Sequence, residues 1–221
     1  MSAEEKVLDI HPPHARIHSW QDFFLHLTTI TIGLFIALSL EGMVESFHHR
    51  HLVHQARTTI YKEMNDNRKL LADDLTSIKA DEARIEADIK TLAGLRAAAK
   101  FEHASLQYHL DWSSFADSAW RTAEATGALN YMDYETAQTL SDIYGQQRIV
   151  AGRGLQVFDQ QNRAIAPIYI TSDPNLMSKD EIQLTLQRSA DLLADLRALG
   201  QLLVQFDVQL AGELSAEAKQ P

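Results

Sequence analysis

An uncharged apolar run near the N-terminus constrains this chain more than any other feature. Residues Leu27 to Leu40 read LTTITIGLFIALSL, and the wider segment from Phe23 to Val44 contains only His26 and Glu41 as titratable residues. At ~1.5 Å per residue, a helix of this length covers about 33 Å, which matches the hydrocarbon core of a bilayer. The run therefore predicts one transmembrane helix over residues 23–44.

Two other interpretations of this run are a cleaved signal peptide and a buried core helix. A signal peptide has a basic region directly before the apolar run and a small-x-small cleavage site after it. Here the leader, residues 1–22, is not basic and contains Pro12 and Pro13, and the sequence EGMVESFHHRH follows the run. Uncharged runs of this length are also rare in soluble proteins. The membrane anchor is the preferred interpretation.

The charges beside the run scarcely distinguish the two sides of the membrane. Lys6 and Arg16 precede the run, and Arg50 and Arg57 follow it. Because an excess of positive charge marks the cytoplasmic flank, these residues nearly balance. They leave a slight preference for an extracytoplasmic body.

Small residues share one face of the predicted span. Thr29, Gly33 and Ala37 are four residues apart, a spacing that lets two membrane helices approach closely. The alternative is that glycine and alanine are simply common in spans. We expect this face to pack against another helix in the membrane.

A heptad pattern follows the span. Between residues 45 and 103 there is no proline, and the sequence predicts a long juxtamembrane amphipathic helix that continues the span without a break. The acidic pairs Asp73–Asp74 and Asp81–Glu82 are expected on its solvated faces. Its apolar positions are seven residues apart: Met64, Leu71, Ile78, Ile85 and Leu92.

Residues 104–214 are predicted to form a helical hairpin and a terminal helix that complete a bundle. A helix is expected over residues 111–125, with Asp111, Ser113 or Ser114 as its cap and Gly127 as a left-handed stop. The tail, residues 215–221, should fray.

A third helix should start at Asp133, with a break or kink near Gly152. Pro167 and the stretch TSDPN, residues 171–175, mark a loop. Ser178 and Glu181 form a capping box for the last helix. These elements predict an all-α fold, in which one N-terminal transmembrane helix continues into a long helix of an antiparallel helical bundle.

Composition and the absence of known motifs argue against several classes of function. The formal net charge is -10, which disfavours nucleic-acid binding, and the absence of cysteine excludes disulfides and thiolate chemistry. No phosphate-loop, HExxH, GxSxG or EF-hand pattern occurs, and we expect no cofactor and no enzymatic activity.

Histidines are concentrated where the predicted helix leaves the membrane. Interfacial side chains that meet lipid headgroups are the preferred interpretation. A pH-responsive cluster is the second, formed by His48, His49, Glu41 and Glu45. A metal site is the third, with His48, His51 and His54 as weak candidates, beside a His14–His18 pair in the leader.

Large aromatic residues gather in the predicted hairpin. We expect Trp112, Trp120, Tyr131 and Tyr144 to form its core, although a ligand pocket is the other role that such rings can have.

The segment WRTAEATGAL at Trp120–Leu129, the following YMDYETAQTLSDIYGQQ and the span GLFIALSLEGMVE together carry a resemblance. The chain resembles a group of uncharacterised bacterial single-span membrane proteins, which have a long juxtamembrane helix and a "W…TGAL" helical hairpin. The resemblance implies a bacterial origin, the inner (cytoplasmic) membrane and this architecture. It supplies no active site.

The function predicted from these features is non-enzymatic. The protein is expected to act through protein contacts, with the lipid bilayer and either further copies or a larger membrane complex as partners. It would be an accessory or scaffold subunit or a homo-oligomer. The alternative is a membrane-anchored sensor that binds a small ligand between the hairpin and the terminal helix.

Overall fold

The computed structural model describes residues 20–102, 104–110, 112–171 and 173–219. Most of the leader, including the His14–His18 pair, and the proposed cap Asp111 lie outside them. Four α-helices account for most of this part of the chain: α1 (Trp20–Arg96), α2 (Ser118–Ala125), α3 (Tyr134–Ile170) and α4 (Lys179–Glu217). Short 3-10 turns lie at Ala128–Tyr131 and Pro174–Leu176. The predicted all-α class is confirmed.

The first unit ends at Arg50 and contains the apolar part of α1. Its most apolar 18-residue window has a mean hydropathy of 2.0, and none of that window is buried. The hydroxyls of Thr29, Thr31 and Ser39 donate to carbonyls four residues earlier, at 2.9, 2.7 and 2.7 Å. These bonds satisfy the polar groups within the helix. The helix is long and apolar enough to cross a membrane.

The second unit, from His51 onward, is a helical bundle. Polar contacts between α1 and α4 pair early residues of one with late residues of the other, so these helices are antiparallel. In order along α1, Arg57 pairs with Glu217, Tyr61 with Glu213, Arg68 with Asp207, Glu86 with Arg197 and Arg96 with Gln183. The α3 helix is also antiparallel to α4, since Arg153 pairs with Asp195 and Arg188 contacts the Arg163 carbonyl.

Two rows of buried residues, each with seven-residue spacing, form the inner face of every long helix. This spacing keeps both rows against the neighbouring helices. On α1 one row is the predicted apolar row, Met64, Leu71, Ile78, Ile85 and Leu92. On α3 the rows are Leu140, Gln147 and Gly154, and Ile143, Val150, Val157 and Ala164. On α4 they are Ile182, Ser189, Leu196, Leu203 and Leu210, and Thr185, Leu192, Leu199 and Phe206.

The α3 helix is continuous to Ile170, so the break predicted near Gly152 is wrong. The predicted loop begins only at Thr171, because Pro167 lies within the helix. A helical glycine costs only about 1 kcal/mol relative to alanine, which the buried rows on either side can offset. Pro167 lacks an N–H and leaves the Arg163 carbonyl without its helical donor. Arg188 of α4 supplies that donor, at 2.8 Å.

The predicted helix ends are confirmed at three positions. The Asp133 side chain accepts from the Thr136 amide, and Ser178 and Glu181 form the capping box. Gly127 has a φ of 73°, the left-handed conformation that glycine adopts without a Cβ clash. The α4 helix runs to Glu217, into the segment expected to fray, where Glu217 contacts Arg57.

The helix predicted from residue 111 begins only at Ser118. Residues 104–117, called the strap here, precede it, and outside residue 111 they form no helix. They run back along α1, because Gln107 bonds to Asp88, Ser113 to Asp74 and Ala116 to Asn67. These backbone amides are held by α1 side chains, which replaces the hydrogen bonds of a helical turn.

Candidate functional site

The small-residue face of the apolar helix is open. Thr29, Gly33 and Ala37 are exposed, and a Cβ placed on Gly33 would meet no atom within 4 Å. The large side chains around them are exposed as well, including Phe35 at 66% and Ile36 at 57%. The face therefore has room for a second helix.

The structure describes all four histidines at the predicted membrane exit, His48, His49, His51 and His54. His49 Nε2 lies 3.8 Å from Glu45 Oε1, and the His48 and His49 rings are 6.1 Å apart. His51 and His54 are exposed. Across the described residues, no three His, Asp or Glu side chains are placed to hold a metal ion. Of the predicted pH-responsive set, His49 and Glu45 are brought together. Glu41, Glu45 and His48 are all exposed.

A row of buried polar side chains on α1 is the least expected feature of the second unit. Asn67, Asp74, Asp81 and Asp88 are seven residues apart and have exposed fractions of 1, 3, 0 and 3%. The prediction that Asp74 and Asp81 lie on solvated faces is therefore wrong. The sequence carried a signal for this row, since each member follows an apolar heptad residue by three positions.

This polar row binds the strap. Both carboxylate oxygens of Asp88 accept from the Gln107 amide, at 3.0 and 2.9 Å. Asp74 accepts from the Ser113 amide at 3.2 Å. Asn67 accepts from the Ala116 amide at 2.9 Å and donates to the Ala116 carbonyl at 2.7 Å. Since an extended segment has no internal ladder, these side chains satisfy backbone groups that would otherwise be buried without partners.

Glu63 is the junction of α1, α2 and α3. Its Oε2 accepts from the Ser118 hydroxyl and the Ala119 amide, both at 2.8 Å, and so acts as the N-cap that α2 lacks. Its Oε1 accepts from the Tyr144 hydroxyl at 2.8 Å. Burial and the bond to Glu63 raise the pKa of Tyr144. Both oxygens of this carboxylate are occupied, which makes the site structural.

The predicted aromatic core is partly correct. The rings of Trp120 and Tyr144 stack with centroids 5.1 Å apart. Trp112 packs edge-on against Phe115 at 5.8 Å, and its indole lies so close to Gly154 that a Cβ there would be 2.4 Å from it. Tyr131 is wrongly assigned to the core, because 51% of it is exposed at the turn between α2 and α3.

Asp81 differs from the rest of the polar row. It pairs with Arg84, one turn further along α1. Its second oxygen and Arg84 Nε make no hydrogen bond within the described structure. A carboxylate with no exposed surface is stable in its charged form only beside such a cation. The guanidinium of Arg84 therefore compensates the buried charge of Asp81.

The surface of the second unit has open grooves. One lies between α1 and α4, with Leu75 and Val204 among its apolar lining and Arg197 at its rim. Another lies between α1, the strap and the start of α2 and is lined by Lys62, Leu70 and others. Neither lies between the hairpin and the terminal helix, where the alternative function places a ligand.

Comparison with known proteins gives no relative on which to base an assignment. No protein-family model, curated protein or solved structure matches this chain.

Proposed function

We propose that this protein is a single-pass protein of the bacterial cytoplasmic membrane whose helical bundle acts through protein contacts. Residues 23–44 form the anchor, and the bundle works as an accessory or scaffold subunit of a membrane complex or as a homo-oligomer. One observation carries the proposal. The apolar stretch of α1 exposes all its large side chains, whereas the unit from His51 onward has its own core.

The energetics of that stretch support the anchor. Exposed aliphatic and aromatic side chains cost about 25 cal/mol per Å² of apolar surface in water, so a helix with none of its apolar window buried needs an apolar environment. Its hydroxyls bond to its own backbone, as they must in lipid. Trp20, which is 75% exposed at the start of the helix, suits the membrane interface.

The hydrogen bonds of the buried polar groups in the bundle support a function through protein contacts. Glu63, Asp74 and Asp88 hold the strap and α2, and the rings of Trp120 and Tyr144 stack on each other. These polar groups are engaged in maintaining the fold. The open face of Thr29, Gly33 and Ala37 offers a contact surface within the bilayer.

Disulfide cross-linking in native membranes tests this proposal, and the absence of cysteine makes it specific. We expect Ala37→Cys to give a cross-linked homodimer or a cross-link to a neighbouring subunit. Ser39→Cys is the matched control, because this similarly small residue lies on the opposite side of the helix. Equal cross-linking of the two variants, or none with Ala37→Cys, would contradict the helix-packing surface.

A ligand screen separates the contact role from the sensor alternative. Reproducible thermal stabilisation of the detergent-solubilised full chain by one class of small molecule would favour the sensor. Stabilisation only by copurified protein would favour the contact role.

A further inference from the structure

The strap is attached to α1 by a carboxylate, Asp88, beside which the described residues place no cation. Asp88 is 3% exposed, and within the described part of the chain the hydrogen bonds to its side chain come from one donor, the Gln107 amide. The neighbouring member of the polar row, Asp81, has Arg84 as its partner. A buried carboxylate held by a single backbone donor is sensitive to its own ionisation, because burial penalises the charged form.

Several charged and titratable groups of the strap and of the long helices contact residues other than Asp88. From the strap, the titratable groups beside Gln107 are Tyr108, whose hydroxyl lies 2.5 Å from Ser189 Oγ of α4, and the exposed His109. Three arginines of the long helices have other acceptors: Arg84 of α1 has Asp81, Arg188 of α4 has the Arg163 carbonyl, and Arg163 of α3 has Asp159. Lys90, two residues after Asp88 on α1, is exposed.

The turn at the end of α1, before the strap, is strained. Ala98 has a φ of 63°, a left-handed conformation that costs a residue with a Cβ roughly 1–2 kcal/mol. Further along, Trp112 of the strap lies over Gly154 of α3. The strap is therefore a non-helical segment that follows a strained turn. Side chains, rather than a backbone ladder, hold it in a defined position on α1.

We propose that the contact between Asp88 and the Gln107 amide is a pH-sensitive latch, which holds the strap on α1 in acid and loosens it as the pH rises toward neutrality. Loosening exposes the face of α1 that the strap covers. The device is independent of the anchor, since it lies wholly within the unit that begins at His51.

The direction follows from the ionisation of Asp88. Burial raises the pKa of Asp88 to about 6, while the Gln107 amide opposes this shift. With the strap released, the carboxyl returns toward its ordinary pKa of 3.8. A raised pKa in the docked state means that docking is most favourable below pH 3.8 and weakens as the pH rises through about 6. Between pH 5 and 7.5, these two pKa values predict about a tenfold increase in the opening equilibrium.

Hydrogen exchange on the full chain in lipid nanodiscs tests the latch. Mass spectrometry follows peptides that cover residues 104–110, with rates corrected for intrinsic exchange and with peptides of α4 as the internal reference. We expect protection of the strap to fall about tenfold from pH 5 to pH 7.5, with no matching change in α4. A strap whose protection does not change with pH in the wild-type chain overturns the proposal, whatever the variants do.

Three variants assign the effect to Asp88. Asp88→Asn removes the titration and should abolish the pH dependence. Asp73→Asn, at an exposed acid on the same helix, and His109→Gln, at the imidazole in the strap, should retain the tenfold change. A tenfold change that persists in Asp88→Asn, or that disappears in His109→Gln, would contradict the assignment.

Discussion

The hydroxyl of Tyr144 donates a 2.8 Å hydrogen bond to Oε1 of Glu63, and this bond joins two helices across 81 residues of sequence. The same carboxylate begins α2 through Ser118 and Ala119. A residue on α1 therefore fixes the position of both α2 and α3. The bundle depends on such polar junctions as well as on its apolar rows.

Removal of the Tyr144 hydroxyl should destabilise the bundle. Tyr144→Phe keeps the stack on Trp120 but leaves one buried oxygen of Glu63 without a donor, which costs about 1–3 kcal/mol. Tyr134→Phe is the control, because Tyr134 is 77% exposed. Denaturant unfolding of the full chain in mild detergent, followed by circular dichroism, measures the stability of both variants. Equal stability of the two variants would show that the junction contributes nothing.

Substitution of alanine for two glycines of α3 should change the stability of the bundle in opposite directions. Gly154→Ala places a Cβ 2.4 Å from the Trp112 indole, and the strap must shift, which we expect to cost about 1–3 kcal/mol. Gly152→Ala meets nothing within 4 Å and should stabilise the helix by about 0.5–1 kcal/mol. Thermal unfolding of both variants tests the pair, and a stabilising Gly154→Ala would refute the position of Trp112.

The strained turn before the strap should tolerate glycine better than alanine. Ala98→Gly relieves the left-handed conformation at φ 63°, and we expect a gain of about 0.5–1 kcal/mol in the free energy of unfolding. Ala97→Gly should give no gain, since Ala97 does not have a positive φ. Loss of stability in Ala98→Gly would argue against this turn.

Removal of the cation from the buried ion pair of α1 should cost far more stability than removal of the cation from an exposed pair. Arg84→Met leaves the fully buried Asp81 carboxylate without its cation, a change that costs about 3–5 kcal/mol when a buried pair is broken. Lys69→Met removes an exposed pair with Asp66 and should change stability little. If both variants unfold at the same denaturant concentration, Asp81 is not charged in the folded protein.

The sequence predicted the helices well where apolar spacing and capping residues agree. The row from Met64 to Leu92, the Asp133 cap and the Ser178 capping box all lie where expected. Each depends on contacts within a few turns of one helix, and the seven-residue period indicates its buried face directly. Local signals of this kind do not require knowledge of the partner helix.

Features that depend on distant partners could not be predicted in this way. Asp74 and Asp88 resemble solvated acids until the strap is placed beside them. Pro167 indicates a loop until Arg188 is known to reach the carbonyl that it frees. In both cases a tertiary hydrogen bond reverses the local preference.

Alkaline carbonate extraction of membranes from cells that express the full chain tests the central claim most directly. The account predicts that the protein stays in the membrane pellet, and that a double variant, Gly33→Arg with Ile36→Arg, moves to the supernatant because charges in the middle of a span oppose insertion. Release of the wild-type protein by carbonate would contradict the anchor and the proposed function with it.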